Sequence, residues 1–255
     1  MSIFSSELSK VEERIVQNSF KTKQIFPEET RLIEFGLRLL WQLTEVTNDA
    51  KKGFPTKPNL LANVNLFGRN RQLLLNAYFC MLSSNYGTQF VISRTVLENN
   101  NLMRLFNLNP SYAYEWLTVD KQKQFSEDIQ SKYSTLTEKK QFEPFWVLKK
   151  VLSQEKQKKA RKDTARIYGQ LCEYTHPNFL GWREIMGKQG ENEVLLDLPT
   201  LTSENAENAV VMTLFLIQGT FKTFVETFRG YWDHYADQIY EWQVRFNKLI
   251  AKYVR

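Results

Sequence analysis

The chain carries only two histidines, His176 and His234, so imidazole chemistry has two places to reside. His176 closes the string YGQLCEYTHPN, two residues after Tyr174. A histidine at the end of a helix suits the negative pole of the dipole and can serve as a cap. The same imidazole, facing a pocket, could act as general acid or base near neutral pH. Arg94 and Glu98, in ISRTVLENN, stand one turn apart and share a face with Val91 and Leu102. Burying such a pair is costly unless both partners are satisfied. They are therefore either a structural tie between helices or a polar site that orients His176 or holds an anion. The candidate catalytic set is His176, Tyr174, Arg94 and Glu98. An alternative set is Arg229 and His234, at the ends of RGYWDH.

Other chemistries lack their residues. The sequence shows no phosphate loop and no clustered metal ligands, so neither cofactor nor metal is expected. Cys80 and Cys172 sit inside apolar helical patterns without metal-ligand spacing, and read as reduced core residues of a cytoplasmic protein. The start of the chain, MSIFSSELSKVEERI, lacks the basic-then-apolar layout of a signal peptide. The longest apolar run, Ala209 to Ile217, is too short to span a bilayer, so no membrane segment is expected.

The net charge of +6 has an address. Between Lys149 and Arg166 lie 8 basic and 2 acidic residues, which leaves 26 of each in the rest of the chain. The protein is thus neutral apart from one positive segment, KKVLSQEKQKKARKDTAR, where attraction to an anionic partner should centre. Lys156, Lys158, Lys159, Arg161, Lys162 and Arg166 are the candidate nucleic-acid contacts. A solvated helix face is the plain alternative. No aromatic residue is interleaved there, so contact with phosphates rather than base stacking is what the segment supports.

The elements that must position these residues are helices. The 18 Phe, 11 Tyr and 6 Trp supply a core, while 10 Gly and 7 Pro are few for 255 residues. Apolar residues recur at helical spacing over 3–20. Pro27, followed by Glu28 and Glu29, opens a helix running to about Lys51. Gly53, Pro55 and Pro58 then form a loop. Leu61 to Ser84 and Thr88 to Asn107 read as central helices separated by Asn85-Tyr86-Gly87, the second apolar nearly all round. Pro110 opens a shorter stretch, Lys121 to Leu136 reads as an exposed helix, and Pro144 begins a short one. Helix 156–175 is basic in its first half and apolar in its second. Trp182 to Met186 and Glu193 to Leu196 could form a β-hairpin around Gly187-Lys-Gln-Gly190. Ser203 caps a helix to about Phe228, Gly230 interrupts it, and Trp232 to Tyr253 ends the chain. The aromatics there, among them Trp232, Tyr235, Tyr240 and Trp242, read as core or a dimer face.

The expectation is an all-α, up-and-down helical bundle with a small irregular or β-hairpin insertion near 181–199. It forms a single domain over 1–255. Its core spans about 28–107 and 156–254, with peripheral helices at 3–20 and 110–152.

The helix LLLNAYFCMLSSNYGTQFVISRTVLE, then YGQLCEYTHP, then a long terminal helix pair, resembles a prokaryotic branch of the HEPN-like helical proteins. There an Arg-x-x-x-Glu helix and a Tyr-x-His-Pro helix end recur together. The similarity covers roughly Leu61 to Phe228. It implies a helical bundle with an RNA-directed role of toxin or defence type, and metal-independent RNase as the first activity to test. RNase members of that group place an arginine four to six residues before a histidine. Here Arg166 precedes His176 by ten positions, about 15 Å of helix rise, and points to a different face. Only Arg229 and His234 match that spacing, with Gly230 where a polar residue is usual. The competing expectation is a non-catalytic scaffold that forms a homodimer or binds a protein partner through its aromatic terminal helices.

Overall fold

Proline costs little at the first position of a helix, because the N–H it lacks would be unpaired there anyway. The chain uses this four times: Pro27, Pro58, Pro110 and Pro144 each open a helix. The computed structural model describes residues 3–50, 57–122, 144–154, 158–175, 186–189, 192–195 and 201–253. In chain order the helices are α1 (Ile3–Ile25), α2 (Pro27–Gln42), α3 (Thr44–Ala50), α4 (Pro58–Leu82) and α5 (Tyr86–Leu108). They continue with α6 (Pro110–Gln122), α7 (Pro144–Gln154) and α8 (Lys158–Thr175). Two short strands, β1 (Met186–Gln189) and β2 (Asn192–Leu195), are followed by α9 (Ser203–Thr227), a 3-10 turn at Asp233–Tyr235 and α10 (Ala236–Ile250). The fold is an all-α bundle.

Several boundaries differ from the sequence expectation. Pro58 starts α4 instead of closing a loop. The break before α5 falls at Ser83–Ser84, and Tyr86 and Gly87 are already helical. Ser84 is left-handed with φ 63°, and Asn85 N donates to Cys80 O at 2.8 Å while Ser84 N donates to Met81 O at 3.2 Å. Those two bonds close the last turn of α4 with a serine where glycine is usual. Asn85 then caps α5 by accepting from Thr88 N at 3.4 Å. The first hairpin strand lies later than expected, because Met186 pairs with Leu195 and Gln189 with Asn192, leaving only Gly190 and Glu191 between the strands. That is fewer than the six residues, 187–192, between the strands expected from the sequence. Trp182 and all of the stretch 123–136 lie outside the described residues.

α5 is the centre of the bundle, packed against α4, α6, α7, α8 and α9, while α10 packs on α2 and α9. One apolar core runs from Phe26, just before α2, and Leu32 on α2 through Leu74, Val96, Phe106 and Leu171 to Phe224, Trp242 and Leu249. Trp242 is fully buried, and its indole Nε1 donates to Leu32 O at 2.9 Å. It reaches that carbonyl across Gly36, where a β-carbon would stand 2.7 Å from the indole nitrogen. Trp242 and Tyr235 are therefore core, whereas Tyr240 is 70% exposed. Among the described residues, Glu204–Thr227 is long and apolar enough to cross a membrane by length and composition, a stretch well beyond Ala209–Ile217. In the bundle it is the central helix α9, with over half of that stretch buried.

Polar side chains repeat every seven residues along the α4–α5–α9 seam. Asn63 and Asn70 face Asn107 and Asn100, and Thr227 and Thr220 complete the two layers. In the inner layer Asn70 Nδ2 donates to Asn100 Oδ1 at 2.9 Å, Asn99 Nδ2 donates to Asn70 Oδ1 at 2.8 Å, and Asn100 Nδ2 donates to Thr220 Oγ1 at 3.1 Å. A third layer joins Gln89 to Thr213 at 3.2 Å. Buried amides are costly when unpaired, so a one-residue slip between these helices would strand several at once. The order of pairing sets α5 antiparallel to α4 and parallel to α9. It also fixes which face of α5 is left for α8.

Candidate functional site

That remaining face of α5 presents Arg94, Glu98 and Asn101 toward α8. Helix α8 docks on it through Tyr168 and Leu171, both buried. Arg94 Nε donates to Glu98 Oε1 at 2.8 Å, and Tyr168 Oη donates to the same oxygen at 3.3 Å. The Arg94 guanidinium also lies over the Tyr168 ring, 5.7 Å from its centre. The two charged side chains are 20% and 22% exposed, so the pair is half-buried and shared between two helices. One turn on, Asn101 is buried, and its Nδ2 has no partner among the described residues. Leu105 then meets Val147 and Val151 of α7 in a small apolar cluster of its own.

The electrostatics follow from this geometry. Burial pulls the Arg94 guanidinium down, but the hydrogen bond and charge of Glu98 outweigh it and leave Arg94 raised. Tyr168 is pushed up to about 12, by burial first and then by the negative charge of Glu98. Both groups therefore stay protonated through neutral pH. The cluster can donate hydrogen bonds and hold a helix in place. A proton acceptor working near pH 7 would have to come from a further residue such as His176.

His176 lies outside the described residues, and Tyr174 is the penultimate residue of α8, next to that boundary. The residue that does join Arg94 and Glu98 is Tyr168, from the apolar second half of helix 156–175. Its signal was available: an aromatic with a hydroxyl, on the buried face of the helix packed against a charged pair. Arg229 and His234 are both exposed and lie on either side of Gly230, whose φ of 85° ends the α9 helical path. The helical spacing that would set them on one face is therefore broken between them. His234 lies against the ring of its neighbour Tyr235, with centres 4.1 Å apart and the planes tilted by 45°.

The basic segment divides cleanly. On α8, Arg161, Lys162, Ala165 and Arg166 are exposed, while Ile167, Tyr168 and Leu171 turn inward. Lys158 and Lys159 belong to the first turn of α8, and Lys156 lies outside the described residues. On α7, Lys149 and Lys150 are exposed, with Lys150 Nζ 5.3 Å from the ring centre of Trp146. Both helices pack on α5. Cys80 and Cys172 are free thiols, and burial pushes Cys80 up. No group of three or more potential metal ligands occurs among the described residues. Compared with known proteins, the chain matches no family model, no curated protein and no solved structure.

Proposed function

We propose that this chain is an RNA-directed protein of HEPN-like layout that holds nucleic acid by its phosphates along the cationic side of α7 and α8. The observation that carries this reading is the outward row Arg161, Lys162 and Arg166, on a helix anchored from behind by Tyr168 and Leu171. Lysines and arginines on a rigid face bind by releasing counterions, which gives affinity without sequence reading. The absence of aromatic residues between Lys149 and Arg166 argues for backbone contact over base stacking. In this reading Arg94, Glu98 and Tyr168 hold α8 in register on α5, and the role is of the toxin or defence kind that the resemblance implies. Any RNase step would belong to His176 or His234.

The test is RNA binding by gel shift or fluorescence anisotropy, comparing the native chain with Arg161→Glu/Lys162→Glu/Arg166→Glu. Loss of binding in the variant supports the reading, and unchanged binding refutes it. Incubation with labelled RNA separates the catalytic part. Cleavage that survives both His176→Ala and His234→Ala would remove the histidines from it.

A second reading has one observation in its favour. Tyr240 and Val244 stand one turn apart on α10, 70% and 48% exposed. Such a pair suits a scaffold that binds a protein partner or a second copy. Sedimentation of the native chain against Tyr240→Lys/Val244→Lys tests it.

A further inference from the structure

A cavity of about 360 Å³ opens between the first turns of α2 and the last turns of α10, and shares no residue with the α5–α8 cluster. Its floor is apolar, made by the buried side chains of Leu32 and Leu249. Its walls carry four cations, Arg31, Arg245, Lys248 and Lys252, against one acid, Glu28.

These cations are not equivalent. Lys252 Nζ is bonded to Glu28 Oε2 at 2.6 Å. Arg245 pairs with Glu241 on its own helix and lies over the Phe35 ring. Glu29, the other acid of the first turn, is engaged by the Tyr253 hydroxyl at 2.8 Å. Arg31 and Lys248 make no hydrogen bond or ion pair among the described residues, although both act at longer range on Glu28 and help to hold its carboxyl low. The cavity therefore offers two uncommitted cations, one from each helix, beside an apolar floor. Its volume falls within the range of small-molecule sites, about 300–1,000 Å³, and such sites combine an apolar lining with a few placed charges.

We propose that this cavity binds a phosphate monoester of nucleotide size. Arg31 and Lys248 hold the phosphate, and the leucine floor takes the less polar part of the ligand. Arginine grips two phosphate oxygens at once, and lysine adds a point charge. Glu28 is the element that opposes the anion, so its charge sets how weak the site is. The proposal stands apart from the RNA-contact reading, since neither uses a residue of the other.

The experiment is isothermal titration calorimetry of the full chain with AMP, adenosine and inorganic phosphate as probes. AMP should bind measurably, and adenosine and inorganic phosphate at least roughly tenfold more weakly, because each lacks one of the two contacts. Arg31→Ala/Lys248→Ala should lower AMP affinity by roughly tenfold or more, and Glu28→Gln should raise it. Both sites are exposed, and an unchanged melting temperature shows that each variant is folded. Absence of AMP binding would overturn the proposal. So would inorganic phosphate binding as tightly as AMP, or affinity unmoved by the double substitution. A competition arm identifies the source of the ester. If a 5′-phosphorylated oligoribonucleotide displaces AMP and its 5′-hydroxyl twin does not, the ester is an RNA end; if neither displaces it, the ligand is the free nucleotide.

Discussion

Thr220→Val tests the polar seam with almost no change of shape. Among the described residues, Thr220 Oγ1 is the only hydrogen-bond acceptor of Asn100 Nδ2, at 3.1 Å, and both residues are buried. Valine leaves that amide donor stranded. Asn100 Oδ1 is unharmed, because Asn70 still donates to it at 2.9 Å. Space at the layer is tight, since a β-carbon at Gly219 would already stand 3.4 Å from Asn100 Nδ2. A buried donor without a partner costs about 1–3 kcal/mol. Thr223 is the internal control, being as buried as Thr220 but bonding only to Gly219 O of its own helix at 2.8 Å. Thr223→Val strands no side-chain group and should change stability by less than about 0.5 kcal/mol. At about 2–4 °C per kcal/mol for a chain of this size, Thr220→Val should melt about 2–12 °C below Thr223→Val. Thermal denaturation followed by far-ultraviolet circular dichroism, supported by urea titration, measures the gap. Equal melting of the two variants would refute the claim that the inter-helix amide contacts carry stability.

Three further perturbations probe other parts of the structure. Gly36→Ala should destabilise by about 1–3 kcal/mol despite alanine's better helix propensity, because its β-carbon meets the immobile Trp242 indole and Ile217; urea unfolding reads this, and a stabilised variant would contradict it. Glu98→Gln should cost about 1 kcal/mol and let Tyr168 titrate closer to its ordinary value, only in part because burial remains, as followed by ultraviolet titration against the Tyr168→Phe variant. Burial raises the Glu34 carboxyl, but the hydrogen bonds from Lys23 and Tyr78 outweigh it, so its folded value lies below 4.5. The stability it adds is fully present above pH 4.5 and fades as pH falls through that lowered value, so Glu34→Gln should flatten the acid limb of a melting-temperature profile there.

The helices were legible where a local rule marks them. The openings at Pro27, Pro110 and Pro144 and the break at Gly230 all act within a turn or two of chain. The α4–α5 junction was harder, because a serine fills the left-handed position that glycine usually marks. The polar seam lies outside the apolar periodicity that marks α4 and α5 as helices. The seven-residue spacing of Asn63 and Asn70, Asn100 and Asn107, and Thr213, Thr220 and Thr227 is nonetheless visible in the sequence. At the site, Arg94 and Glu98 could be paired by spacing, since they lie on one helix. Tyr168 is marked by its hydroxyl on the apolar face of its helix, but its pairing with Glu98 depends on how α8 packs across α5. The cationic cavity likewise joins α2 to α10 across more than two hundred residues.

The salt dependence of RNA binding tests the proposed function most directly. Each phosphate contact on single-stranded RNA contributes about −0.7 to the slope of log affinity against log salt. If Arg161, Lys162 and Arg166 each hold a phosphate, reversing all three should weaken binding and flatten that slope by about 2. Affinity and slope both unchanged in the triple variant would contradict a phosphate-binding face on α8.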